Sequence, residues 1–211
     1  ETGRITHFVA VKEDVTERKR SEKEIIKKNA NLAALFSIST HLRTASNAKD
    51  MLPLVLQETE KVLNVDANAV ILLDQSKQEF VYALGDGLLA SNIGLRFPME
   101  NSISGIVMET RKAYISSDFS NDPNCANAVI NHENIGSAVL VPLQSEAEFI
   151  GVLLCARRKD SPAGEFSASE AQLLSSIGEM VGNALRRARL HDDALFRMQR
   201  VQVLRAIDAA I

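Results

Sequence analysis

Residues Ser137 to Arg158 read SAVLVPLQSEAEFIGVLLCARR, two apolar runs separated by a short polar break. Each run is rich in Val, Leu and Ile, which is typical of strands that are covered on both faces, and the polar residues 144–148 suit a turn between them. We therefore predict a buried β-hairpin. It contains no catalytic side chain, so we expect it to support a functional site that lies around it.

Two residues predict irregular points in this hairpin. Pro142 has no amide proton to donate to a β-ladder, so its nitrogen must face an edge, a bulge or a loop. Gly151 lies inside an apolar run, where a glycine usually marks a bulge or a place where another backbone or a ligand comes close.

The composition bounds the class of protein. The chain has 211 residues, of which 45% are apolar, enough for a single core. No apolar segment approaches the roughly 20 residues of a membrane span and no signal peptide is visible, so we predict a cytoplasmic protein without membrane insertion in this fragment. Two cysteines predict no disulfide scaffold, and the net charge of -3 argues weakly against a nucleic-acid partner. The chain begins at Glu1 without a methionine, so we expect it to be a fragment of a larger protein.

Two long amphipathic helices are predicted on either side of the remaining elements. The first runs from Thr16 to about Leu42, with apolar residues at helical spacing. The second opens with the capping box Ser167-x-x-Glu170 and meets no proline before Ile211. Its second half carries an apolar stripe that no further chain covers, and this stripe predicts a parallel homodimer through the N- and C-terminal helices. The stripe consists of Leu195, Met198, Val201, Leu204, Ile207 and Ile211.

Shorter elements and a long polar loop are predicted between the first helix and the hairpin. Loops as long as the one from Ser117 to Gly136 are disproportionately binding loops. The elements are a helix from Lys49 to Leu63 with Pro53 in its first turn, strands at Ala69–Asp74 and Glu79–Leu84, an extended piece near Ile93–Pro98, a short helix at Ile103–Glu109 and a strand at Lys112–Ser116.

Residues 3–25, GRITHFVAVKEDVTERKRSEKEI, carry a first family resemblance. They resemble the closing strand of a bacterial PAS sensor domain, with the Asp-Val-Thr-Glu-Arg junction through which that family enters a signalling helix. Only this tail is present, so no PAS pocket is assigned.

The middle of the chain, from about residue 30 to residue 190, resembles a GAF domain, a sensor fold of bacterial signalling proteins. The resemblance implies an α+β fold with a central antiparallel β-sheet and flanking helices. It divides the chain into a PAS remnant (1–15), a signalling helix (16–46), the GAF domain (47–188) and a helical linker (189–211). Its motifs are ISGIV (103–107) before the strand KAY (112–114), the loop Asp118–Pro123, SAVLVPL (137–143), FIGVL (149–153) and Phe166-Ser167.

The same resemblance implies a ligand pocket between the sheet and the loops from about Arg96 to Ser137. No motif identifies the ligand, and the cofactor is unknown. The Asn-Lys-Phe-Asp-Glu pattern of cyclic-nucleotide-binding relatives is absent, and Cys125 is followed by Ala126 where bilin-binding relatives have histidine. The residues expected to contact the ligand are Phe97, Ile103, Tyr114, Ser117, Asp118, Cys125, Val129, His132 and Ser137.

Other reactive side chains match no known pattern. Cys125 and His132, with Asp118 and Asp122 nearby, do not have the spacing of a zinc site, so we predict no metal. His191 lacks the neighbours of a kinase phosphoacceptor histidine. The arginines of the last helix have no interleaved aromatic residues, so we interpret them as solvating and interhelical charges rather than a nucleic-acid site.

We therefore predict a regulatory sensor module and not an enzyme. It would bind an unidentified small molecule or a partner and relay the signal through coiled-coil-like helices to an output domain, as in two-component systems. The first alternative is a structural dimerisation spacer whose pocket is empty or filled by its own side chains. The second is a redox sensor or enzyme that uses Cys125, with Cys155 predicted to be a buried core residue.

Overall fold

A six-stranded antiparallel sheet forms the centre of the chain in a computed structural model that describes residues 14–44, 48–125, 133–146 and 148–208. Its strand order is β3-β2-β1-β6-β5-β4, and the predicted hairpin is the pair β5 and β6. The predicted α+β fold is therefore confirmed. The strands are β1 (Ala67–Asp74), β2 (Glu79–Gly87), β3 (Arg96–Pro98), β4 (Tyr114–Ser116), β5 (Ile135–Gln144) and β6 (Phe149–Arg158).

Helices cover both faces of this sheet. Three of them pack on one face, α1 (Thr16–Thr44), α2 (Ala48–Leu63) and α4 (Ala168–Asp208). The other face is covered by α3 (Ile103–Thr110) and by the segment 118–125, which includes a short 3-10 turn. The sheet thus separates a core beneath the three helices from a second core beneath α3.

Alternation along the central hairpin explains its two apolar runs. On β5, Val139 and Val141 belong to the core beneath the long helices, whereas Leu140 belongs to the core beneath α3. On β6, Cys155 belongs to the core beneath the long helices and Leu154 to the core beneath α3. Because both faces are buried, both positions of the two-residue period are apolar.

Both irregular positions have a structural reason. Tyr114, the first residue of β4, pairs with Leu140, so β4 does not extend as far as Pro142. Pro142 therefore has a partner on β6 but none on the β4 side. A Cβ atom on Gly151 would overlap the carbonyl oxygen of Ile71 on β1. Both expectations for Gly151 are observed, because the pairing of β5 with β6 also shifts register beside it, from Leu143 paired with Gly151 to Gln144 paired with Phe149.

The helix ends follow the sequence with one correction. The capping box that opens α4 is confirmed, because the Glu170 carboxylate accepts a hydrogen bond from the Ser167 amide at 2.8 Å and the Ser167 hydroxyl accepts one from the Glu170 amide at 3.3 Å. The placement of Pro53 in the first turn of α2 was wrong. The helix begins at Ala48, so Pro53 lies one turn further in, with its side chain exposed. The strand of the PAS resemblance falls on residues 1–13, which lie outside the described residues.

The two long helices are buried on one side only. Residues 28 and 35 of α1 line a groove with residues 169 and 173 of α4, and residue 43 lines another with residue 187, so the helices run side by side in the same direction. Ile25, Leu32 and Phe36 are 57%, 63% and 76% exposed. On α4, Leu190, Phe196 and Met198 are also exposed. No helix in the described part of the chain has the length and apolar content needed to cross a bilayer.

Candidate ligand pocket

A small cavity lies between the sheet and the cover formed by α3 and the segment 118–125. Its volume is about 20 Å³. A cavity needs about 10–15 Å³ to hold one water molecule, whereas pockets for drug-sized ligands measure roughly 300–1,000 Å³. The side chains around the cavity therefore nearly fill it. They are Ile71, Tyr82, Phe97, Ser102, Ile103, Ser104, Phe119, Asn124, Cys125, Leu140 and Leu154.

The sequence Ser102-Ile103-Ser104-Gly105 builds the α3 side of the cavity. Ser102 is the N-cap of α3: its hydroxyl accepts a hydrogen bond from the Gly105 amide at 3.0 Å and donates one to the Met99 carbonyl at 2.9 Å. A Cβ atom on Gly105 would overlap that same carbonyl. The cap and the glycine together hold the first turn of α3, and with it Ser104, against the sheet.

Asp122 anchors the segment that covers the cavity. Its carboxylate accepts hydrogen bonds from the Tyr114 hydroxyl at 3.1 Å, the Ser116 hydroxyl at 2.6 Å and the Asn124 amide at 2.9 Å. Burial raises the pKa of Asp122, but the hydrogen bonds from Ser116, Asn124 and Tyr114 outweigh it and hold the pKa below its ordinary value. The anchored segment ends at Cys125, which forms a β-bridge with Ser102.

The two cysteines are separated by the sheet. Cys125 is packed with the core beneath α3, and Cys155 belongs to the core beneath the long helices. Burial, assisted by the charge of Asp122, raises the pKa of Cys125 to about 11, and burial raises the pKa of Cys155 to about 12. Both thiols are therefore protonated at neutral pH, and neither can act as the resolving partner of the other.

Two residues with hydroxyl groups, Tyr82 and Ser104, belong to the cavity wall. Tyr82 is 2% exposed and Ser104 is 3% exposed, and both line the cavity. Burial raises the pKa of Tyr82, with a smaller contribution from Cys125, so the phenol keeps its proton. A hydroxyl group can donate and accept hydrogen bonds, so these two residues offer a polar contact to a ligand in the cavity.

Three of the residues expected from the sequence line the cavity, namely Phe97, Ile103 and Cys125. Tyr114 lies beside it and donates to Asp122 instead. Val129 and His132 are outside the described residues.

Three further candidates lie away from the cavity. Ser117 and Asp118 are exposed, and the Asp118 carboxylate accepts a hydrogen bond from the Asn121 side chain at 2.7 Å. The Ser137 hydroxyl donates to the Gly164 carbonyl at 3.3 Å and does not line the cavity. A ligand-binding role for any of the nine residues stays a prediction.

Sequence reasoning missed most of the sheet's contribution. Ile71 and Tyr82 are direct cross-strand partners on β1 and β2, and Leu140 and Leu154 are partners on β5 and β6. The alternation of the strands indicates which residues share a face, but not which strand lies next to which. Ser104 could have been identified from the sequence, because it lies within the motif ISGIV.

Comparisons with known proteins agree with this architecture. A sequence profile described as GAF domain matches residues 45–186. No protein with a curated description matches the chain in sequence.

Among solved structures, the GAF domain of a phosphoenolpyruvate-protein phosphotransferase from Coxiella burnetii superposes with a TM-score of 0.69 at 20% identity, over 77% of this chain and 96% of that chain. A free methionine-R-sulfoxide reductase from Neisseria meningitidis superposes with a TM-score of 0.64 at 18% identity, over 76% of this chain and 91% of that chain. The GAF-B domain of DevS from Mycobacterium smegmatis superposes with a TM-score of 0.54 at 16% identity, over 67% of this chain and 94% of that chain. At these identities the likeness shows the fold alone.

Proposed function

This chain belongs to the GAF domain family, and from that membership we propose that it is a regulatory sensor module that binds a small molecule in the cavity beneath Cys125 and relays binding to an output domain through α1 and α4. The observation that carries the proposal is the cavity itself, whose wall combines apolar side chains with the hydroxyl-bearing residues Tyr82 and Ser104.

Ligand entry would require the covering segment to move. That segment is held at the edge of the sheet by polar contacts to Asp122 and by the buried ring of Phe119, whereas the floor of the cavity is made of fully buried residues of the central strands. A short segment at a sheet edge opens at lower cost than the packed central strands. The cover is therefore the element whose position a ligand would change, and a ligand shifts that equilibrium only if it binds the open form better.

A physical route leads from the cavity to the long helices. Leu140 lines the cavity, and its neighbour Val141 packs into the helical core on the other face of β5. Two glycines of α4, Gly178 and Gly182, lie directly against the backbone of β5. A displacement of β5 would therefore be transmitted to α4 without an intervening flexible side chain.

A buried arginine ties the sheet to the other helices. Arg157 on β6 donates to the Leu63 carbonyl at the end of α2 at 2.7 Å and to the Glu170 carboxylate in the first turn of α4 at 2.7 Å. Its guanidinium also lies 4.1 Å from the centre of the Phe166 ring. This contact set supports a relay in which β6, α2 and α4 move as one unit.

The exposed apolar residues of α1 and α4 support a parallel homodimer as the working unit. Ile25, Leu32 and Phe36 are more than half exposed on α1, and Phe196 and Met198 are more than half exposed on α4. Covering such stripes with a second copy removes apolar surface from water.

We further propose the larger context from the sequence. Residues 1–15 would be the end of a PAS domain, 47–188 the GAF domain and 189–211 a linker to an output domain of a cytoplasmic bacterial signalling protein. The junction Asp-Val-Thr-Glu-Arg at 14–18 supports this arrangement.

A thermal-shift screen of the intact chain, with a library that contains neutral, anionic and cationic compounds, tests the proposed function. We expect compounds that raise the melting temperature of the wild type but not of Ser104→Leu, in which the larger side chain fills the cavity. Ser117→Leu is the matched control, because Ser117 is exposed and away from the cavity. No stabilising compound, or equal stabilisation of the wild type and Ser104→Leu, would contradict the proposal.

The small volume of the cavity favours one alternative, a dimerisation spacer that binds no ligand. The same screen separates the two, because a spacer gives no compound whose effect depends on Ser104. An enzyme that uses Cys125 has less support, because the sheet separates the two cysteines.

A further inference from the structure

The walls of the cavity also define the class of ligand. Building on the proposed function, in which the covering segment moves to admit a ligand, we infer that the ligand is a small, uncharged, mainly apolar molecule with one hydrogen-bonding group, and not a carboxylate, a phosphate or an amine. The geometry that assigns this class is an apolar cavity with two neutral hydroxyls on its wall.

The floor and sides of the cavity are apolar. Ile71, Leu140 and Leu154 form the floor, and each is at most 2% exposed. Phe97 and Phe119 contribute aromatic rings, and Phe97 also lies 5.8 Å from the ring of Tyr82, between ring centres. Such a surface gains most from an apolar ligand, and tilted aromatic neighbours offer edges and faces to a further ring.

No charged side chain among the described residues lines the cavity. A buried anion needs a cation or several hydrogen-bond donors to replace water, and the cavity offers only neutral groups. Burial and, to a smaller extent, the negative charge of Asp122 raise the pKa of Cys125 on the cavity wall, and the same negative charge opposes an anion there. A carboxylate or phosphate ligand would therefore lose its hydration without gaining a counterion.

Asp122 does not provide a site for a cation either. Its two carboxylate oxygens already accept from the hydroxyls of Tyr114 and Ser116 and from the Asn124 amide, with Tyr114 within 3.1 Å of both oxygens. Tyr114 has one hydroxyl proton, so these three donors occupy three of the roughly four acceptor positions of a carboxylate. An ammonium group in the cavity would have to compete with the donors that anchor the covering segment.

The polar groups that the cavity offers to a ligand are few and uncharged. The hydroxyls of Tyr82 and Ser104 can each donate or accept one hydrogen bond, so they fit a single hydroxyl or carbonyl group of a ligand. A ligand of this kind hydrogen-bonds to these hydroxyls while its apolar part covers the floor.

Titration of the intact chain with a matched trio of probes tests the inference. The probes are 4-methylphenol, 4-hydroxybenzoate and 4-hydroxybenzylamine, which share a ring and a hydroxyl and differ in charge. Methyl NMR of the cavity residues Ile71 and Ile103 locates binding, and the dissociation constant is measured for each probe. We expect 4-methylphenol to bind at least about tenfold more tightly than either charged probe.

Two conservative variants link this affinity to the cavity. Tyr82→Phe and Ser104→Ala each remove one hydroxyl and should lower the affinity for 4-methylphenol about three- to tenfold. The control Ser117→Ala should leave this affinity unchanged. The inference is overturned if a charged probe perturbs the cavity methyls at equal or lower concentration, or if neither hydroxyl variant changes the affinity. The proposed function has its own test: if library compounds stabilise the chain in a Ser104-dependent way but are charged, the sensor stands and this ligand class is wrong.

Discussion

Gly178 on α4 lies so close to Pro142 on β5 that a Cβ atom on Gly178 would be 2.5 Å from the Pro142 carbonyl oxygen. One turn further along, a Cβ atom on Gly182 would overlap the backbone of Gln144. These are the two glycines of α4, and both face the strand that forms part of the cavity floor. The helix that leaves the domain therefore rests on the backbone of the central hairpin.

Replacing Gly178 with alanine should destabilise the fold. The added methyl group must push α4 away from Pro142, and overpacking of this kind destabilises a fold by about 1–3 kcal/mol. The higher helix propensity of alanine offsets about 1 kcal/mol of this loss. Urea denaturation of Gly178→Ala should give a lower free energy of unfolding than the wild type. Glu179→Ala, on the exposed side of the same turn, is the control. Equal stability of Gly178→Ala and the control would show that the contact is not tight.

Arg157→Met should be among the most destabilising single changes in the chain. It leaves the Glu170 carboxylate and several loop and helix carbonyls without their buried donor, and breaking a buried ion pair costs about 3–5 kcal/mol. Arg158→Met is the matched control, because the neighbouring Arg158 is exposed and pairs with Asp160 at the surface, where the loss is at most about 1 kcal/mol. Chemical denaturation of both variants measures the difference, and similar losses would contradict a structural role for Arg157.

The pH dependence of stability should report on Glu170. Burial raises its pKa, but hydrogen bonds from Ser167 and Arg157 outweigh burial and hold it below the ordinary value of 4.5. The unfolded chain therefore binds this proton more readily than the folded chain. The contribution to stability is complete above the ordinary pKa and is lost as the pH falls through the lower folded pKa.

Denaturation curves of the wild type and Glu170→Gln, recorded between neutral and acidic pH, measure this effect. The wild type should be more stable than Glu170→Gln at neutral pH, and the difference in their free energies of unfolding should narrow as the pH falls below the ordinary glutamate pKa of 4.5. A gap that stays constant with pH would show that the carboxylate charge plays no part.

Cys125 should react slowly with alkylating reagents in the folded chain. Its pKa of about 11 leaves roughly a thousandth of the thiol ionised near pH 8. Mass spectrometry after timed iodoacetamide treatment should show a rate that still rises above about pH 10, whereas the same cysteine in denaturant levels off near its ordinary pKa of about 8.5. Rapid labelling at neutral pH would instead support the redox alternative.

Phe36→Glu should weaken the proposed homodimer. The charge is placed in the middle of the exposed apolar stripe of α1, where burial against a second copy would leave it unpaired. Sedimentation of the variant should show a dissociation constant raised at least about tenfold. Gln57→Glu, an exposed change on α2, adds the same charge elsewhere and should leave the assembly unchanged. A wild-type chain that stays monomeric at high concentration would contradict the dimer itself.

The fold could be predicted from the sequence because its strongest signals are local. The two apolar runs of the hairpin, the capping box at Ser167 and the turn residues between the strands each depend on neighbouring residues. The cavity could be predicted only in part, because it joins Ile71, Tyr82, Ser104 and Leu154 from four elements whose order in space a single sequence does not give.

Two limits of the sequence-based prediction have the same physical origin. Ser137 was expected in the pocket, but it is adjacent to Ala138, which shares the cavity-side core with Leu140, so its own side chain points to the opposite face of β5. The apolar residues of α1 are expected at helical spacing, but the spacing does not separate Ile38, which is buried by the domain, from Phe36, which is exposed. Periodicity identifies a face but not what covers it.

The most direct test of the central claim follows the cavity and α4 in one titration. Methyl NMR of Ile71 and Ile103 reports on 4-methylphenol in the cavity, and amide hydrogen exchange in residues 190–200 reports on the exit helix at the same probe concentrations. The account predicts that both signals change with one dissociation constant, and that Tyr82→Phe shifts both by the same factor. Saturation of the cavity without any change in exchange along α4 would contradict the relay, and the domain would then bind a ligand without signalling through this helix.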